Sequence, residues 1–166
     1  SDMAGFKRID AERGTGPGLG VVGYGFMGKV HSNAWLKIPY SFASPAAVPR
    51  LHALCGRNAA RAEDTARLLG YAGWYSDWKE LVRDPEVRIV DVCTPDNEHC
   101  APSIGAAEAG KHVLCEKPLA MTVGEARSMA EAVRKAGVKN MLCHNYRFIP
   151  AVRLARELID KGSLGT

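Results

Sequence analysis

The stretch Leu19-Gly20-Val21-Val22-Gly23-Tyr24-Gly25-Phe26-Met27-Gly28 decides the fold. A short apolar strand runs into Gly23-x-Gly25-x-x-Gly28, and a helical segment follows from about Phe26 to Leu36. Each glycine answers a physical need. The first makes the tight turn, the second lets main chain approach a pyrophosphate, and the third lets helix and strand pack closely. Phosphates then meet the helix N-terminus, where unpaired N–H groups and the positive end of the dipole face them. Glycine-rich turns are common, so the pattern alone is weak. Its place between a strand and a helix favours a dinucleotide site, held by Gly23, Gly25, Phe26, Met27 and Gly28, over a merely structural turn.

Working outward, Ser1-Asp2 before Met3 reads as a cloning scar, and residues 1–17 as a flexible, glycine-rich leader. Past the first helix, the three prolines of IPYSFASPAAVPR indicate a loop. Strands are expected at 51–55, 73–75, 87–93, 111–115 and 138–143, separated by helices at 59–69, 78–82, 98–109 and 122–136. Gly70, Gly110 and Gly137 stop three of those helices. Thr122 and Glu125 make a T-x-x-E capping box. A last amphipathic helix, 150–161, stops at Gly162. Strands alternating with helices give an α/β class: a doubly wound, mostly parallel, six-stranded Rossmann sheet in the order 3-2-1-4-5-6. Residues 18–146 form that dinucleotide-binding domain, and 147–166 a helix leading toward a further domain.

At 166 residues, with 46% hydrophobic and 24% charged residues, the chain has the composition of a soluble globular protein. The formal charge of +4 is mild and scattered, which disfavours nucleic acid as a partner. No apolar run approaches the roughly 20 residues of a membrane span, and no signal peptide is evident. Cys55, Cys93, Cys100, Cys115 and Cys143 show neither C-x-x-C nor Cys/His metal spacing. They are expected as free, mostly buried thiols in a cytoplasmic protein without a metal.

Chemistry is expected at the carboxyl ends of the strands. The second strand ends Cys55-Gly56-Arg57-Asn58, without the Asp or Glu that holds ribose hydroxyls in many such sites. Lacking that carboxylate, the site leans to NADP, with Arg57 pairing the 2′-phosphate or stacking on adenine. The fourth strand leads into Thr94-Pro95-Asp96-Asn97-Glu98-His99. There Thr94, Pro95 and Asn97 flank the cofactor, and His99 is either packed or active. His31, His52 and His112 read as structural. After the fifth strand stands Glu116-Lys117-Pro118, whose proline biases Lys117 toward an extended backbone. A lysine fixed there, with Glu116 beside it, can stabilise developing alkoxide character.

The combination GYGFMG, YSDWKELVRDPEVRIVDVCTPDNEH, GKHVLCEKPLA and NYRFIPAVRLARELIDKGSLG resembles the Gfo/Idh/MocA family, from about Leu19 to the last residue. That resemblance implies an NAD- or NADP-dependent oxidoreductase acting on the CH–OH groups of sugars, cyclitols or related polyols. It implies that Lys117 is the catalytic lysine, and that Asn145, Tyr146 and Arg147 lie toward nicotinamide and substrate. It also implies a homo-oligomeric full-length protein and no membrane partner. Many family members carry an acidic residue where Gly56 stands. Members also have a second, mainly antiparallel domain that supplies substrate contacts and proton transfer. The chain therefore looks like the cofactor-binding first half of a protein about twice as long, able to bind a dinucleotide and inactive alone. A non-catalytic nucleotide-binding sensor is the alternative.

Overall fold

The computed structural model describes residues 5–9, 16–163 and 165; the expected cloning scar lies outside them. Among the described residues seven strands form one sheet: β1 (Lys7–Arg8), β2 (Gly18–Val22), β3 (Arg50–Cys55), β4 (Gly73–Tyr75), β5 (Val87–Val92), β6 (His112–Cys115) and β7 (Asn140–Leu142). The helices are α1 (Phe26–Ser41), α2 (Ala59–Leu69), α3 (Trp78–Arg83), α4 (Cys100–Glu108), α5 (Val123–Ala136) and α6 (Pro150–Asp160). The sheet order is β1-β4-β3-β2-β5-β6-β7, with β1 antiparallel and every other pairing parallel. The six parallel strands therefore follow the expected 3-2-1-4-5-6 order. Among the described residues no helix is long and apolar enough to cross a membrane.

Side-chain alternation along β2 divides the core. Leu19 and Val21 pack with Leu51, Leu54, Ala66 and Tyr71 on the α1/α2 face. Val22 packs on the other, with Leu81, Val90, Ala106 and Met129 from the α3, α4 and α5 side. Strands buried on both faces read as apolar runs rather than alternating ones, which is why β2 and β5 stand out in the sequence. Helix ends follow local chemistry. Gly70 and Gly137 close α2 and α5 in the left-handed region, at φ of 78° and 65°. Thr122 and Glu125 form the reciprocal capping box.

Three expectations need correction. The sheet has seven strands, because part of the expected loose leader pairs with β4. Phe6 anchors it by stacking on His52, with ring centroids 5.0 Å apart, over the space left by the missing side chain of Gly73. Helix α1 continues through Pro39 to Ser41. Proline in the last turn removes one intrahelical hydrogen bond, and Phe42 N–H still closes the helix on the Ile38 carbonyl. The loop after β5 holds a 3-10 turn at Asp96–Glu98 before α4 begins at Cys100. The five cysteines are all free. Burial raises Cys115 and Cys143 to about 11 and Cys55 to about 12, which favours the neutral thiol in all three.

Candidate functional site

Strand β2 lies between β3, on the way to one edge, and β5, on the way to the other. The connections reverse direction there, so the loops after β2 and β5 part and leave a groove at the carboxyl ends of the strands. The groove measures about 800 Å³. Gly23 and Gly25 form its floor, Gly56 and Arg57 one wall, and Thr94, Pro95 and Asn97 the other. Seven residues nominated from sequence thus meet in one cavity.

Local geometry separates the three glycines by task. Gly23 has φ of 105°, a conformation that side chains rarely adopt, and a Cβ there would lie 2.5 Å from the Cys93 carbonyl oxygen. At Gly28 a Cβ would lie 1.9 Å from the Gly23 carbonyl oxygen, so helix α1 rests directly on the turn. At Gly25, the N-cap of α1, a Cβ would meet nothing within 4 Å. Gly25 therefore borders open space, with the first N–H groups of α1 beside it and no side chain capping them. The first turn of α1 holds no acidic residue to repel an anion. The cradle fits a pyrophosphate.

Arg57 reaches across the groove mouth to Glu98, 3.2 Å away, and its side chain is 84% exposed. Gly56 has a packing reason. A Cβ there would stand 1.8 Å from the Tyr24 ring, so a carboxylate at this position requires Tyr24 to move. Asn58 does not face the groove; its side chain caps α2 by accepting the Arg61 N–H. Phe26 is exposed at the start of α1, and Met27 packs against the core. His99, expected as packed or active, is packed. It is fully buried, and its ring nitrogens meet the carbonyls of Pro118 at 2.7 Å and Thr94 at 3.0 Å. It ties the β5 loop to the Lys117 loop and does not touch the groove.

Lys117 follows β6, one strand beyond the groove, and Asn145, Tyr146 and Arg147 form an exposed 3-10 turn after β7. All four stand at the same carboxyl edge of the sheet as the groove, without lining it. The Lys117–Pro118 peptide is cis. Lys117 is exposed, while its backbone N–H donates to Glu116 Oε2 at 2.9 Å. Glu116 is buried and accepts from His31 Nε2 at 3.0 Å; His31 Nδ1 is 3.0 Å from both oxygens of buried Asp91. Burial alone would raise the Glu116 pKa. Hydrogen bonds from His31, Cys143 and the Lys117 N–H, with the His31 charge, outweigh it and hold the carboxyl low. Burial likewise lowers His31, and its bonds and charge pairing with Asp91 and Glu116 turn the balance upward.

Sequence reasoning missed several of these participants. Ser76, Asp77, Trp78 and Lys79 complete the groove wall, and the Asp77 N-cap of α3 was their available signal. Glu98 as the partner of Arg57 was missed too. Asp91 was the clearest omission: a carboxylate inside the apolar run VRIVDVC must find a partner when buried.

Comparison with known proteins agrees with this geometry. Residues 18–144 match Gfo/Idh/MocA, described as an oxidoreductase family with an NAD-binding Rossmann fold. A levoglucosan dehydrogenase from Pseudarthrobacter phenanthrenivorans is 41% identical over 147 residues, covering 89% of this chain and 38% of that protein. A myo-inositol 2-dehydrogenase from Thermotoga maritima is 31% identical, covering 89% and 42%. Among solved structures, levoglucosan dehydrogenase in complex with NADH and levoglucosan aligns with a TM-score of 0.86 at 40% identity, covering 89% of this chain and 40% of that one. An oxidoreductase domain protein from Kribbella flavida aligns with the same score at 47% identity, covering 92% and 41%. The chain spans about two fifths of the length of these relatives. It belongs to the Gfo/Idh/MocA family of oxidoreductases with an NAD-binding Rossmann fold.

Proposed function

We propose that this chain holds the nicotinamide dinucleotide of a dehydrogenase acting on a sugar, cyclitol or related polyol. The single observation that carries the reading is the open space at Gly25, between the Gly23 turn and the uncapped N-terminus of α1. Gly23, Gly25 and the first N–H groups of α1 would hold the pyrophosphate, and Gly56, Arg57, Thr94, Pro95 and Asn97 the adenosine half. Bound nicotinamide supplies hydride acceptance or donation. Lys117 places an ammonium at the same edge of the sheet, where it can hydrogen-bond the substrate oxygen and stabilise negative charge developing on it. Asn145, Tyr146 and Arg147, one strand further, are the substrate-side residues of this reading. The substrate class rests on the relatives, which are named as levoglucosan and inositol dehydrogenases.

The lean to NADP loses its footing once Arg57 is paired. Glu98 sets a carboxylate beside the guanidinium, and that carboxylate repels a 2′-phosphate while leaving a ribose hydroxyl unaffected. We therefore assign NAD as the preferred cofactor, in keeping with the relative solved with NADH. Calorimetric titration of the chain with NAD and NADH, and with NADP expected to bind more weakly, tests the assignment. Saturable one-to-one binding that is lost on Gly25→Ala is expected. Absence of binding by both forms would defeat it.

A further inference from the structure

His31, Asp91 and Glu116 form a buried constellation from three elements, and neither phosphate binding nor the chemistry assigned to Lys117 uses them directly. His31 lies on α1 three residues after Gly28, Asp91 inside β5, and Glu116 just after β6. All three are at most 7% exposed. We propose that His31 is a positioning residue for the Lys117 loop: its ring donates from both nitrogens, tying Asp91 to Glu116, and Glu116 in turn fixes the Lys117 N–H.

The hydrogen-bond inventory supports a doubly protonated ring. A neutral imidazole carries one donor and one acceptor, yet here both nitrogens face carboxylate oxygens at 3.0 Å. A protonated carboxyl would remove that requirement, and the surroundings work against one. Asp91 Oδ2 also accepts from Trp35 Nε1 at 2.8 Å, and its Oδ1 from the Cys93 thiol at 3.4 Å. Glu116 Oε2 accepts the Lys117 N–H at 2.9 Å; the Cys93 and Cys143 sulfurs lie farther from the ring than the carboxylate oxygens do, at 3.3 Å from Nδ1 and 3.8 Å from Nε2. Each donor aimed at a carboxylate favours its ionised form. Directions of titration agree: His31 is raised and Glu116 lowered, while Cys93 and Cys143 are raised and stay neutral. Two ligand-like triads, His31–Asp91–Cys93 and His31–Glu116–Cys143, share this ring. With both nitrogens donating, the ring has no lone pair for a metal.

This arrangement makes α1 serve two ends of the site. Its N-terminus borders the pyrophosphate cradle, and its second turn grips the loop that carries Lys117. The proposal builds on the function assigned to Lys117, but its test reads protonation and loop order, which do not depend on cofactor binding.

Nitrogen-15 NMR of the His31 ring in the intact chain should show both nitrogens protonated at pH 7. In Glu116→Gln the amide can donate to Nε2, so the ring should become neutral and singly protonated at pH 8. In His31→Ala, amide exchange at Lys117 should quicken about tenfold or more, the factor expected when a hydrogen bond to a charged group loses its support. Exchange at Gly23 and Gly25 should change far less. A singly protonated His31 in the wild-type chain at pH 7 would overturn the proposal, and so would an unaltered ring in Glu116→Gln. Equal quickening at Lys117 and the glycine turn would mean general loosening rather than positioning, and also counts against it. Should His31→Ala fail to fold, the Glu116→Gln spectrum alone decides.

Discussion

Alanine at Gly25 and at Gly28 should produce opposite phenotypes. At Gly28 the new Cβ would stand 1.9 Å from the Gly23 carbonyl oxygen and 2.9 Å from its carbon, both backbone atoms. Ordinary contact begins near 3.4 Å, so α1 must retreat from β2 by about 1.5 Å. Overpacking of this kind costs about 1–3 kcal/mol, and more where only backbone can yield. For a chain of this size that corresponds to a fall in Tm of roughly 3–10 °C. At Gly25 nothing lies within 4 Å of the new methyl, and φ of −67° suits alanine. Stability should therefore change by no more than about 0.5 kcal/mol. The methyl instead occupies the space assigned to the pyrophosphate, and binding of NAD should weaken at least about tenfold, or 1.4 kcal/mol. Thermal unfolding and calorimetry on both variants separate the effects. Wild-type affinity in a folded Gly25→Ala chain would refute the placement of the phosphates. Unchanged stability in Gly28→Ala would refute the close packing of helix on turn.

Glu98→Gln should raise the affinity for NADP relative to NAD by several-fold, because it frees Arg57 without removing bulk; a titration with each cofactor measures the ratio. This effect should shrink with added salt, since the Arg57 side chain is largely in solvent. Removing the α5 cap with Thr122→Ala should cost about 0.5–2 kcal/mol by denaturant unfolding and leave cofactor binding unchanged. The ion triad sets a pH window. Glu116 is lowered from 4.5, so its stabilisation is complete above that value and fades as pH falls through the lowered pKa. His31 is raised from 6.5, so its stabilisation is complete below that value and fades as pH rises through the raised pKa. The stability difference between wild type and Glu116→Gln should therefore peak between those two values and shrink on both sides, as Tm measured against pH would show.

Legibility in the sequence followed the range of the interaction. The glycine turn could be read because its constraints are local: a positive φ at Gly23 and a close approach at Gly28 admit one residue type. The capping box at Thr122 and the αL glycines ending α2 and α5 were legible for the same reason. Strand β1 was hidden, since two residues carry no periodicity and its anchor is the distant stacking of Phe6 on His52. Pro39 marked a break that the last turn of α1 tolerates. His31 read as a bland histidine because its partners lie 60 and 85 residues away. The two clues were separable from sequence, an unpaired Asp91 within an apolar strand and a histidine one turn past Gly28, but only the fold puts them together. For His99 the residue type suggested chemistry, and two backbone carbonyls claimed it.

The most direct test of the central claim is amide chemical-shift mapping of the chain during titration with NAD. The account predicts saturable shifts at Gly23 and Gly25, at Gly56 and Arg57, and at Thr94 and Asn97, with the largest at the N-terminus of α1. Shifts confined to a separate cavity lined by Arg147, Arg153 and Glu157 beside α6, or no shifts at saturating cofactor, would contradict it.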